Sequence, residues 1–150
     1  MQGRSNMKET RLKALLAVWA ILALLLSAQA AFGQSEELIR AMIVQESDGK
    51  DSAFNRKENA VGPLQIRPAY FKDAQEHDPS LKGLKHTDCY KRDVAIRVFK
   101  AYMDRYAKGK SDEQMARIHN GGPSGHKKSS TDKYWRSVKA IIENGGKKPN

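Results

Sequence analysis

Five stretches of this chain carry apolar residues at helical spacing, and short glycine- or proline-marked breaks separate them. Spacing of that kind directs the chain toward packed helices and leaves little room for a sheet. In the first stretch Leu38, Ile39, Met42 and Ile43 form a stripe, Ser35 is placed to cap it, and Glu36 and Glu37 suit its first turn. Gly49 stops it. Pro68 opens a second helix through Tyr70, Phe71 and Ala74. The third and longest runs from about Asp88 to Ala107, with Val94, Ile96, Val98, Phe99, Tyr102, Met103 and Tyr106 spread around it. Such broad coverage predicts a central helix packed on several sides. Ser111, with Gln114 in the capping-box position, starts a fourth that ends near His119, before Gly121-Gly122-Pro123. Ser130 or Thr131 starts the last, through Tyr134, Trp135, Val138, Ile141 and Ile142. Between Asp51 and Ile66 the chain is polar and irregular, with room for a short β-hairpin at most, near residues 52–66. The expectation is an all-α class fold, a single small helical domain over residues 34–144, with a disordered tail at 145–150.

The first 33 residues read as an address. Arg4, Lys8, Arg11 and Lys13 precede an apolar run from Ala14 to Leu26, and Ala28-Gln29-Ala30 supplies a small-x-small cleavage pattern. This is the layout of a secretory signal peptide. The run is short for a membrane-spanning helix, which needs about 20 residues; an uncleaved anchor is the alternative. The expected destination is the periplasm or the extracellular space. Export leaves 117 of the 150 residues. The four basic residues and Glu9 take a net +3 away with the leader, leaving +7 of the whole chain's +10.

A mature domain of that charge favours polyanionic partners: acidic cell-wall polymers first, anionic membranes next and nucleic acid last. Cys89 is the only cysteine, so no internal disulfide can form and packing must hold the core. His77, His86, His119 and His126 are too widely spaced for a zinc pattern, which assigns them structural or surface roles and implies no metal.

Glu46 stands where the first helix runs out, in Ile43-Val44-Gln45-Glu46-Ser47-Asp48-Gly49. Helix-end carbonyl dipoles and partial burial both disfavour a charged carboxylate. A protonated carboxylic acid in such a place suits delivery of a proton to a sugar leaving group. By itself the position fits a solvated residue in a helix's last turn better, as most glutamates there are. Gln65, between Leu64 and Ile66 after a Gly-Pro break, either points into a cleft or lies on an exposed strand face. Asn120 either lines a cleft or serves as a helix stop. Tyr134 is either core or the polar edge of a groove.

Glu46-Ser47, Gly62-Pro63-Leu64-Gln65-Ile66, Ala116-Arg117-Ile118-His119-Asn120-Gly121-Gly122 and Tyr134 occur in the order found in soluble lytic transglycosylase domains. Across residues 36–142 the chain resembles that family, part of the lysozyme-like superfamily that includes goose-type lysozymes. The resemblance implies an α+β lysozyme-like domain in which Glu46 is the catalytic acid. It further implies substrate-side roles for Ser47, which orients Glu46, and for Gln65, Asn120 and Tyr134. The implied reaction cleaves the β-1,4 bond between N-acetylmuramic acid and N-acetylglucosamine in peptidoglycan. Glu46 acts as acid and then as base, and the product is a 1,6-anhydro sugar. No cofactor is implied, and the partner is the glycan strand, bound by a monomer without nucleic acid or stable membrane association. His119 stands where the family has an aromatic residue, and Pro63 where it has Leu or Met.

Two other readings compete. A hydrolase of the same bond, as in goose-type lysozymes, needs a positioned water and a second carboxylate; Asp48, Asp51 and Glu58 are the nearby choices. A non-catalytic module would grip glycan strands without cutting them.

Overall fold

The computed structural model describes residues 36–149; the signal peptide expected at 1–33 and the Ser35 cap lie outside the described residues. Five α-helices carry the domain: α1 over residues 36–47, α2 over Pro68–His77, α3 over Arg92–Tyr106, α4 over Asp112–Gly121 and α5 over Asp132–Glu143. The antiparallel strands β1 (Phe54–Asn55) and β2 (Ala60–Val61) pair Phe54 with Val61 and Asn55 with Ala60. This is the small lysozyme-like arrangement expected, mostly helical with one short hairpin.

Helix α3 takes the central place. Val94, Ala95, Val98, Phe99, Ala101, Tyr102 and Met103 are all buried, more of its circumference than one stripe could cover. Around it Leu38, Met42, Ile43, Leu64, Phe71, Ile118, Val138 and Ile141 complete one continuous core. Cys89 is fully buried in that core, and burial pushes its thiol up to about 12. It therefore behaves as a small apolar residue, and packing holds the domain together.

Several boundaries follow the sequence closely. Ser111 Oγ accepts from the Gln114 amide at 3.4 Å while Gln114 Oε1 accepts from the Ser111 amide at 3.2 Å, the reciprocal pair that opens α4. One boundary differs. The helix expected from Asp88 begins only at Arg92. Residues His86–Tyr90 form a 3₁₀ turn instead, because the Asp88 carboxylate accepts from the Lys85 amide and ties the chain back on itself. Residues 145–149, the expected tail, make contacts in the structure. The Gly145 and Gly146 amides donate to Ile142 and Ile141, and Lys148 pairs with Asp48 beside the end of α1.

The connection from β2 to α2 positions the site. Ile66 and Val61 exchange backbone hydrogen bonds at 2.9 and 3.1 Å, closing a tight turn over Gly62-Pro63-Leu64-Gln65. Gly62 has φ +78°, and a Cβ there would fall 1.9 Å from the Cys89 carbonyl oxygen. Only glycine fits. Gln65 also adopts a positive φ, 46°, at a conformational cost of about 1 kcal/mol or more.

Candidate active site

Two helix ends and the hairpin converge on one polar hollow of about 290 Å³, lined by Glu46, Asn55, Glu58, Gln65, Arg67, His119 and Asn120. Glu46 reaches it from the last turn of α1, which Asp48 and Gly49 terminate with φ of 52° and 78°. His119 and Asn120 come from the last turn of α4, where Gly122 ends the helix with φ 81°. Glu58 comes from the hairpin loop. Asn55 Oδ1 accepts from the Lys57 and Glu58 amides at 3.1 and 3.4 Å, so the side chain that starts the loop also holds the residue that faces Glu46's hollow.

Arg67 ties the end of α4 to the hairpin. Its Nη2 donates to the carbonyls of His119 (3.1 Å) and Asn120 (2.9 Å), which have no helical partner at the end of α4. Its Nη1 lies 4.0 Å from Glu58 Oε2. A guanidinium can serve a helix end and a carboxylate at once because its donors form a planar fork. Beyond Arg67 and Asn120 a second hollow of about 310 Å³ continues the cleft past Tyr70, Asp73 and Tyr102 to Pro123.

Among the predicted site residues, Glu46, Gln65 and Asn120 share the hollow. Gln65 Nε2 donates to the Gly62 carbonyl at 2.9 Å, which fixes the amide plane and leaves its oxygen for a ligand. Ser47 differs from its expected role. Its side chain is buried and its one donor is spent on the Ile43 carbonyl at 2.9 Å, so the hydroxyl secures the end of α1 and is not part of the cavity lining. Tyr134 lies behind Glu46. Its hydroxyl is buried without a hydrogen bond of good geometry, and burial, followed by the nearby Glu46 charge, holds its pKa well above the usual phenol value.

His119 departs furthest from expectation. It is buried, with Nε2 3.6 Å from Glu46 Oε1 and Nδ1 3.2 Å from the Tyr70 hydroxyl. His86 holds a structural place, its Nε2 bonded to the Ile66 carbonyl at 2.7 Å. Of the three acidic neighbours, Asp51 is tied to Arg92 at 2.6 Å and Asp48 to Lys148; Glu58 is the one that lines the hollow.

A protein family described as Destabilase matches residues 35–141, nearly all of the described domain. The chain belongs to the Destabilase family. A lysozyme of Ostrea edulis is 34% identical over 70% of this chain and 79% of its own length. Lysozyme 1 of Crassostrea virginica is 38% identical over 55% of this chain, which spans only 45% of that longer protein. Among solved structures, the inhibitor-bound lysozyme of Meretrix lusoria superimposes with a TM-score of 0.61 at 28% identity, over 75% of this chain and 93% of that one. The match corrects the resemblance to soluble lytic transglycosylases: what the two families share here is the lysozyme-like fold, and membership lies with Destabilase. For this Destabilase-family chain, sequence spacing gave Glu58 only as one of three nearby carboxylates and passed over Arg67 and Asn55. The usable signal was Asn55 three residues before Glu58, an Asx-turn pattern, within the stretch expected to form a hairpin.

Proposed function

We propose that this protein is a lysozyme-type glycosidase that hydrolyses the β-1,4 bond between N-acetylmuramic acid and N-acetylglucosamine in peptidoglycan. The observation that carries the reading is the presence of two carboxyl groups, Glu46 and Glu58, on one polar hollow. Glycoside hydrolysis by the usual route needs such a pair: one acid to protonate the leaving oxygen and one carboxylate on the other side of the sugar. Glu46, enclosed by Tyr134 and His119, takes the part of the acid. Glu58, exposed on its hairpin beside the Arg67 cation, takes the part of the carboxylate. Gln65 and Asn120 present amides to sugar hydroxyl or N-acetyl groups, and the hollow beyond Arg67 extends the glycan path. Lysozymes among the relatives support the same activity here. The inhibitor-bound state of the Meretrix lusoria lysozyme supports a lysozyme inhibitor as a partner for this chain as well. Export to the periplasm or beyond fits a wall substrate.

The 1,6-anhydro-forming reaction implied by the transglycosylase resemblance uses a single acid, and Glu58 in the hollow favours hydrolysis over it. Digestion of purified peptidoglycan tests the proposal. The unmutated protein is expected to release muropeptides, and Glu46→Gln is expected to release almost none. Binding without cutting by the unmutated protein would point to a non-catalytic module instead.

A further inference from the structure

The His119 side chain is 4% exposed, and the rings of Tyr70 and Phe99 meet it edge-on at centroid distances of 5.3 and 5.6 Å. Tyr70 is held in turn by its stack on Tyr102, with centroids 3.6 Å apart and planes 12° from parallel. Tyr70 Oη faces His119 Nδ1 at 3.2 Å, His119 Nε2 faces Glu46 Oε1 at 3.6 Å, and the Tyr134 hydroxyl also neighbours the Glu46 carboxyl. The direction of the bonds follows from donor accounting. Burial holds the Tyr70 hydroxyl well above the usual phenol range, so it keeps its proton. A buried O–H left without an acceptor costs about 1–3 kcal/mol, whereas an oxygen that accepts nothing costs less. Tyr70 therefore donates to Nδ1, and a neutral imidazole then carries its hydrogen on Nε2, toward Glu46. The opposite tautomer would set the bare Nε2 lone pair against the carboxylate that Glu46 becomes once it has given up its proton.

We propose that Tyr70 and His119 form a positioning relay for Glu46, in which Tyr70 locks the Nε2–H tautomer of His119 and that N–H holds Glu46 Oε1. The relay rests on the reading of Glu46 as the proton donor. The proton itself passes from Glu46 to the glycosidic oxygen; neither His119 nor Tyr70 gives one up. The present 3.6 Å closes with a small swing of the carboxylate, as acid–base contacts commonly tighten when substrate is bound. His119, at a place where an aromatic residue was expected, thus becomes a positioning residue rather than a stacking platform.

Nitrogen–proton correlation NMR of the full mature chain, with ¹⁵N-labelled histidine, reads the tautomer without any reference to activity. The expected signature for His119 is a protonated Nε2 and an unprotonated, hydrogen-bonded Nδ1, with Tyr70→Phe releasing that bias toward a tautomer mixture. A proton found on Nδ1 in the unmutated protein overturns the relay. In peptidoglycan cleavage, Tyr70→Phe is expected to lower kcat about tenfold and His119→Phe about a hundredfold, with KM within about twofold, since misplacing a reacting group by 1 Å costs on that order. Unchanged kcat in Tyr70→Phe also overturns the relay, while loss of all cutting in Glu46→Gln would leave the proposed function standing. An unmutated protein that cuts nothing would defeat the proposed function, and the NMR result would still decide the tautomer.

Discussion

Glu46 and Glu58 border the same hollow and live in opposite surroundings. Glu46 ends a helix, its side chain 19% exposed, with a buried imidazole and a buried phenol close behind it. Glu58 sits on a four-residue hairpin loop, 51% exposed, with a guanidinium 4.0 Å away. The first is held by the core and the second by local turn chemistry. Surroundings this different are how one fold gives two identical side chains different roles. They also divide the protein's vulnerabilities. The Glu46 wall should resist perturbation until the core itself is disturbed, while the Glu58 wall depends on a few backbone conformations and on Arg67.

Removing either carboxyl should give the largest effects. Glu46→Gln is expected to reduce kcat by about 10²–10⁴-fold with little change in melting temperature, because general acid catalysis is worth that much. Glu58→Gln should cost about 10²-fold in kcat and leave the fold intact, given its exposure. Equal activity of Glu58→Gln and the unmutated protein would collapse the distinction between the two walls. Gly62→Ala should destabilise the domain by about 2–4 kcal/mol, since the added methyl meets the Cys89 carbonyl and the positive φ is strained as well. Chemical denaturation measures that loss, and a neutral outcome would mean the turn is not the rigid support described. Arg67→Met should cost about 1.5–3 kcal/mol through the two carbonyls left at the end of α4. Its activity should fall more than its stability predicts, because Glu58 loses its cation. The smallest effect is expected for Ser47→Ala: about 0.5–1.5 kcal/mol of stability, with kcat within about twofold. A large fall in kcat there would restore the orienting role that the Ile43 bond argues against.

Most of the helical frame was legible because it rests on local rules. The α1 stripe, Pro68 at the start of α2, and the Ser111–Gln114 box are visible within a few residues of themselves. The start of α3 was not, because Asp88 spends its carboxylate on the preceding turn rather than on the helix. Glu46, Gln65 and Asn120, the site residues expected from sequence, line one hollow, two of them at helix ends and one in a glycine-marked turn. Arg67 was invisible because its meaning lies 52 and 53 residues away, at the end of α4. His119 looked like a surface or structural residue because nothing local says that the ends of α1 and α4 meet. Ser47 shows how a local bond competes with an expected role. A hydroxyl next to a candidate acid suggests partnership, but on a helix it bonds four residues back instead.

The central claim is that Glu46 as acid and Glu58 as carboxylate bring about attack by water, rather than one acid closing a sugar ring. Digesting purified peptidoglycan in heavy-oxygen water and weighing the released muropeptides tests it directly. Hydrolysis predicts reducing muramic ends, each carrying one solvent-derived heavy oxygen at C1. Exclusively anhydro ends, lighter by one water and free of label, would contradict the account.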